Sequence, residues 1–212
     1  KQPGDELNRG EIYESNSFGL SGLVRWLGHE PTRLQCVGDT LEGIRNTLNE
    51  VSKNYDLILT SGGVSMGEWD FVRKIMEEEG DLHFWRIKLR PGSPPLFGIW
   101  NGTPIFGLPG NPVSSHVVFR MLVAPWIRNA TSADGPTEAK TFAKLATKVK
   151  PTKDSLTLRR VSIENNGSEL IAHQKIHQGS GNLASIAHSD AFLILQPGKQ
   201  YSIGDTVEVM FV

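Results

Sequence analysis

Thr60-Ser-Gly-Gly-Val-Ser65 joins three hydroxyl side chains to two adjacent glycines, a combination suited to holding an anion. Gly62 and Gly63 let backbone N–H groups come close to a ligand, and Thr60, Ser61 and Ser65 add hydroxyl donors. The loop follows the apolar run 57–59, which reads as a buried strand, and a helix is expected to start at Asp70. A loop at the carboxyl end of a strand, backed by a helix N-terminus, is where α/β sheets bind phosphates. Gly107-Leu-Pro-Gly-Asn-Pro112 also links an expected strand to a helix and offers Pro109, Gly110, Asn111 and Pro112. Two such loops point to a phosphate-bearing small molecule. The first is neither a Walker loop nor a dinucleotide fingerprint, since Gly-Lys-Ser/Thr and Gly-x-Gly-x-x-Gly are both missing.

Three carboxylates stand at expected ligand-facing loops: Glu6, Asp39 and Asp70. Such loops converge at one edge of a parallel sheet, where carboxylates could hold a divalent cation such as Mg²⁺. Asp39 and Asp70 also read as helix N-caps, and a cap carboxylate can face a ligand as well. Arg90 opens the Pro/Gly-rich stretch Arg90-Pro-Gly-Ser-Pro-Pro95, and a basic side chain there could bind an oxyanion. Arg86 and Lys88 fit a solvated strand edge better. The six histidines form no zinc-ligand pair, and Cys36 stands alone, so no intrachain disulfide and no cysteine-rich zinc site are available.

These residues need a scaffold. Residues 16–27 place Leu20, Leu23, Val24 and Leu27 on one helical face, and 33–37 reads as a short strand. Asp39-Thr-Leu-Glu42 has capping-box spacing before a second amphipathic helix. Helix 71–79 and an alternating run at 82–89 follow. Strands at 96–99 and 103–108 flank Asn101-Gly102, a strong hairpin signal. A long helix over 113–128 starts after Pro112. Asp134-Gly-Pro136 reads as a linker. Beyond it come five β-rich runs, at 141–149, 156–164, 170–174, 191–196 and 206–212, separated by turn signals such as Asn165-Asn-Gly167. The fold class is therefore α/β, an α/β domain over 1–133 followed by a small all-β, barrel-like domain over 134–212.

Composition sets the outer bounds. With 38% hydrophobic and 21% charged residues, the 212-residue chain is that of an ordinary globular protein. A formal charge of −1 argues against a broad nucleic-acid surface. No apolar run approaches membrane-spanning length and no signal-peptide pattern is present, so no membrane partner is expected. Lys1-Gln-Pro-Gly-Asp-Glu-Leu7 reads like a loop that follows a strand, and a longer parent polypeptide is expected on that account.

In order and spacing, Thr60-Ser-Gly-Gly-Val-Ser-Met-Gly-Glu-Trp-Asp70, Arg90-Pro-Gly-Ser-Pro94 and Gly107-Leu-Pro-Gly-Asn-Pro-Val-Ser114 resemble the molybdopterin molybdenumtransferases, the MoeA/gephyrin family. Gly4-Asp-Glu-Leu7, Gly10-Glu-Ile-Tyr-Glu-Ser-Asn16 and His177-Gln-Gly-Ser180 match further segments, so the resemblance covers essentially the whole chain as a C-terminal portion. It implies a three-layer α/β/α molybdopterin-binding domain and a terminal β domain. It also implies insertion of molybdate into adenylated molybdopterin, with AMP released and a divalent cation, Mg²⁺, assisting. Glu6, Asp39 and Asp70 match the family's important acidic residues, with Asp39 and Asp70 on the metal. Pro109 and Pro112 match its loop prolines, and Arg160 and Ser180 match residues expected near the site from the β domain. Arg90 and Ser93 stand where lysines are frequent. The lone Cys36 is compatible with a reducing cytoplasm, where the protein is expected, and the resemblance further implies an enzyme that is a homodimer at full length. Two alternatives remain: a non-catalytic molybdopterin- or partner-binding scaffold module, and a related hydrolase on the same α/β domain.

Overall fold

The computed structural model describes residues 1–67 and 70–212; Glu68 and Trp69 of the glycine-loop motif lie outside the described residues. The chain divides into two compact units, Lys1–Arg86 with Pro94–Gly135, and Ile87–Ser93 with Pro136–Val212. The excursion Ile87–Ser93 thus groups with the second unit.

The first unit is built on a four-stranded sheet. Its strands are β1 (Ile58–Ser61), β2 (Asp81–Trp85), β4 (Leu96–Trp100) and β5 (Thr103–Leu108), in the order β1-β5-β4-β2. β1 runs parallel to β5, with Ile58 opposite Ile105 and Ser61 opposite Leu108. The pairs β4–β5 and β2–β4 are antiparallel. At the β4–β5 turn, Asn101 and Gly102 take φ of 48° and 84°, as a tight two-residue hairpin loop requires.

Alternation along these strands sends side chains to two layers of helices. On one face Leu96, Trp100 and Ile105 pack with Leu48 and Val51 of α2 (Leu41–Val51) and with Val72, Ile75 and Met76 of α3 (Phe71–Glu78). On the other face the Phe97 and Phe106 rings lie 4.5 Å apart, and both meet Trp126. Trp126 belongs to α5 (Ala124–Thr131), which continues α4 (Pro112–Val118) through one π turn, Phe119–Val123. α1 (Asn16–Trp26) packs against α4. The expected three-layer arrangement is therefore present.

Three local expectations are corrected. Residues 33–37 form no strand: among the described residues β1 pairs only with β5, so the run has no ladder partner, and Leu34 and Val37 are exposed. The cap of α2 is Thr40 and not Asp39, because Thr40 Oγ1 accepts from Gly43 N at 3.1 Å. The alternation over 82–89 does not make one strand. β2 carries a bulge between Leu82 and Phe84, Arg86 turns the backbone to φ 74°, and a short β3 (Leu89–Arg90) follows.

The second unit is a closed barrel. It holds β6 (Lys140–Leu145), β7 (Leu156–Asn165), β8 (Leu170–His173), β9 (Ala191–Leu195) and β10 (Thr206–Phe211), in ring order β7-β8-β6-β10-β9. Closure is possible because β7 is long. Its residues Ser162–Asn165 pair with β8, and Thr157–Val161 pair with β9. Closure leaves none of the five as a bare edge. Leu145, Val161, Leu193, Leu195, Val207 and Val209 fill the interior. β3 adds in parallel to the start of β7, with Arg90 opposite Thr157.

Candidate functional site

The carboxyl ends of β1 and β5 lie side by side because the two strands are parallel neighbours. Gly62 N donates to Leu108 O at 2.9 Å, which extends the ladder by one bond. That bond corrects one expectation: the N–H of Gly62 is committed to the sheet and is not available to a ligand. Gly63 turns the chain with φ 70°, and its carbonyl accepts from Arg73 N at 3.1 Å. Val64 is buried, and its carbonyl accepts from Trp85 Nε1 at 2.8 Å. Among the described residues, the N–H groups of Gly63, Val64 and Ser65 have no protein acceptor. The hydroxyl of Thr60, at the base of the loop, is buried with no partner. Three unpaired amides beside the start of α3 form a region of positive potential.

Gly107 lets the loop fit. A Cβ there would lie 2.5 Å from Val64 Cγ1 and 2.7 Å from Leu96 Cγ, so any side chain would expel the residue that anchors the turn. After β5, Pro109 is buried, and its carbonyl accepts from Ser115 Oγ. Asn111 is the N-cap of α4 with Pro112 in its first turn. Gly110 faces the first loop closely enough that a Cβ on it would lie 3.6 Å from Gly62 Cα.

A residue outside the expected site joins these loops. Asn16 Nδ2 donates to Ser61 Oγ at 2.6 Å and to Gly110 O at 2.8 Å. The sequence carried only a faint sign of this: Asn16 opens a helix, where a short amide side chain is common but has many possible partners.

The carboxylates are placed differently from one another. Asp70 occupies the N-cap position of α3, yet its side chain caps nothing in that helix; Oδ2 accepts instead from Gly67 N at 2.5 Å. It therefore closes the glycine loop on itself. Glu6 and Asp39 are exposed and bond to neither loop. Among the described residues, no group of three or more His, Cys, Asp or Glu side chains could hold a metal ion. The donor set still fits a hard cation bound mostly by phosphate oxygens, which needs only one or two protein carboxylates.

Arg90, Arg160 and Ser180 lie in the second unit. Arg90 is exposed, and the loop after it folds back as Ser93 Oγ donates to Ile87 O at 3.2 Å. Arg160 is only 1% exposed, and no carboxylate among the described residues meets it. Its Nη2 donates to His177 O at 3.0 Å and Gly179 O at 3.2 Å, while Nε has no partner. Burial first, and then the charge of Arg159, pull its guanidinium below the ordinary value. Gln178 completes the arrangement, accepting from Arg160 N at 3.0 Å and donating to Arg160 O at 2.8 Å. These bonds fix the loop that leads into Ser180. His116 on α4 is held well below the ordinary histidine value, at about 4, by burial and then by the charge of Arg120. Its ring is therefore neutral at pH 7, and its Nε2 accepts from Arg120 Nε at 2.9 Å. Among the described residues, no helix is long and apolar enough to cross a membrane.

Comparison with known proteins assigns both units. Residues 3–129 match the family model described as "Probable molybdopterin binding domain", and residues 143–212 match the MoeA C-terminal region, domain IV. The chain is 32% identical over 209 residues to a molybdopterin molybdenumtransferase of Haemophilus influenzae, covering 97% of this chain and 52% of that protein. It is 31% identical over 215 residues to the Bacillus subtilis molybdopterin molybdenumtransferase, covering 98% of this chain and 49% of that protein. The crystal structure of a molybdopterin biosynthesis MoeA protein from Pyrococcus horikosii superposes with a TM-score of 0.82 at 28% identity, over 100% of this chain and 51% of that one. This chain spans about half the length of these relatives. With both domain matches in order and the fold shared along its whole length, the chain belongs to the MoeA/gephyrin family of molybdopterin-binding proteins.

Proposed function

We propose that this chain is the substrate-binding portion of a molybdopterin molybdenumtransferase in molybdenum cofactor biosynthesis. In this reading the loops after β1 and β5 hold the phosphate-bearing part of adenylated molybdopterin while molybdate enters the dithiolene and AMP leaves. The observation that carries it is the pair of loops at the ends of two parallel strands, tied together by Asn16 and presenting the unpaired amides of Gly63, Val64 and Ser65. Preorganised backbone donors suit phosphate oxygens and need no rearrangement on binding. Thr60, Ser61 and Ser65 add hydroxyls to the first loop. Pro109, Gly110, Asn111 and Pro112 shape the second.

Asp70, with Asp39 as a second carboxylate, would hold Mg²⁺ against the phosphates. The ion would supply charge neutralisation as the bond to AMP breaks. Arg90, Arg160 and Ser180 belong to the reading as residues that the family resemblance expects near the substrate; Arg160, whose guanidinium is committed to the carbonyls of His177 and Gly179, would act by holding the loop that leads into Ser180. A homodimer at full length belongs to the same reading through the family resemblance, and a cytoplasmic location through the lone Cys36.

The test is anaerobic calorimetry of the 212-residue chain with adenylated molybdopterin, followed by incubation with molybdate and Mg²⁺ and chromatography for AMP. Saturable binding that is lost in Ser61→Ala/Ser65→Ala supports the site. Binding unchanged by that double substitution, or no binding at all, overturns it. Binding without AMP release by the longer protein assigns a scaffold and not a transferase.

A further inference from the structure

The orientation of Asn16 is fixed by the chemistry of its partners. The carbonyl of Gly110 can only accept, so the atom 2.8 Å from it must be the amide nitrogen. The same nitrogen lies 2.6 Å from Ser61 Oγ. Its two hydrogens are thereby used, one on each loop. Ser61 becomes the acceptor in that pair and keeps its own hydroxyl proton, for which the described residues offer no acceptor. Asn16 is itself held in place. It is the first residue of α1, and the Glu14 carboxylate takes Ser17 N at 2.8 Å and Ser17 Oγ at 2.5 Å. A carboxylate just before the helix, accepting from an N–H of its first turn, suits the helix dipole.

We propose that Asn16 is a positioning residue with two effects, which rest on the reading of these loops as the phosphate site. It sets the spacing between the loops after β1 and β5. It also fixes the polarity of Ser61, so that the Ser61 hydroxyl donates to an anionic oxygen of the ligand. An aspartate at position 16 has the same shape and the opposite polarity. It accepts from Ser61, repels the Gly110 carbonyl and adds a negative charge beside the anion.

The test uses the 212-residue chain with adenylated molybdopterin as probe, and amide hydrogen exchange without ligand. N16D is expected to weaken binding by more than about thirtyfold, and N16A and S61A by about tenfold each. The double variant N16A/S61A is expected to lose clearly less than the roughly hundredfold product of the single losses, because the polarity effect of Asn16 acts through Ser61. In N16A, exchange at Gly62, whose N–H donates to Leu108 O, and at Ser115, whose N–H donates to Asn111 O, is expected to rise together, with the rest of the sheet unchanged. Should N16A fail to fold, the isosteric N16D and S61A carry the comparison. Fully additive losses overturn the polarity assignment, and unchanged exchange in either loop overturns the spacing role. If the wild-type chain does not bind the probe, the phosphate-site reading and the Ser61 polarity both fall, while the exchange data still decide the spacing.

Discussion

The indole nitrogen of Trp85 donates to the main-chain carbonyl of Val64 at 2.8 Å, so the last residue of β2 holds the glycine loop from beneath. Arg73 and Arg86 place their guanidinium groups 4.5 Å and 4.9 Å from the same ring system, which keeps the indole in position.

Trp85→Phe removes the donor and retains an aromatic ring for both arginines. The Val64 carbonyl then loses its partner, at a cost of about 1–3 kcal/mol. For a chain of this size that lowers Tm by roughly 2–4 °C per kcal/mol. Calorimetric melting of the two proteins decides it; equal melting temperatures mean the bond contributes nothing.

Gly63 is expected to be intolerant of any side chain. Its φ is 70°, and a Cβ would lie 3.0 Å from Val72 Cγ2 in the core. Gly63→Ala should lose about 1–3 kcal/mol in urea unfolding from left-handed backbone strain. Gly63→Val should lose more, because a β-branched residue tolerates positive φ worst. Loss of binding in Gly63→Val therefore reports the fold together with the site. Gly110→Ala is the gentler probe, since its Cβ meets only ordinary contact with Gly62.

Asp70→Asn separates charge from shape. Asparagine Oδ1 can still accept from Gly67 N, so the loop closes and the melting temperature should hold. If the carboxylate supports a cation at the phosphates, cofactor formation by the longer protein should fall at least roughly tenfold, about 1.4 kcal/mol of barrier. Unchanged turnover would assign Asp70 to loop closure alone.

His116 makes stability depend on pH in a defined direction. Its folded value is about 4, below the ordinary 6.5, so the unfolded chain binds the extra proton first. Stability from this group is fully present above about 6.5 and is lost as pH falls through 4. The whole loss is on the order of 3 kcal/mol, since each pH unit separating the folded and unfolded values is worth roughly 1.4 kcal/mol. His116→Gln should flatten the urea-unfolding profile across that window; an unchanged slope would place the transition elsewhere.

Much of the scaffold was legible because its signals are local. Asn101-Gly102 determined a hairpin, Pro112 a helix start, and the turn residues between short apolar runs a set of barrel strands, each through φ preference or side-chain periodicity alone. The two loops at strand ends were readable for the same reason, as was the family once their motifs were seen in order. What the tertiary structure decided is which distant groups meet. Asn16 reaches Ser61 across 45 positions and Gly110 across 94, and only the parallel pairing of β1 with β5 brings those partners together. Arg160 looks like any strand arginine until barrel closure buries it against the carbonyls of His177 and Gly179. Residues 33–37 had strand chemistry but no neighbour to pair with, and Thr40 took the cap expected of Asp39 because its hydroxyl, one residue later, accepts from Gly43 N. Local sequence fixes what each segment can do; strand order, which depends on the whole chain folding at once, fixes what it does it to.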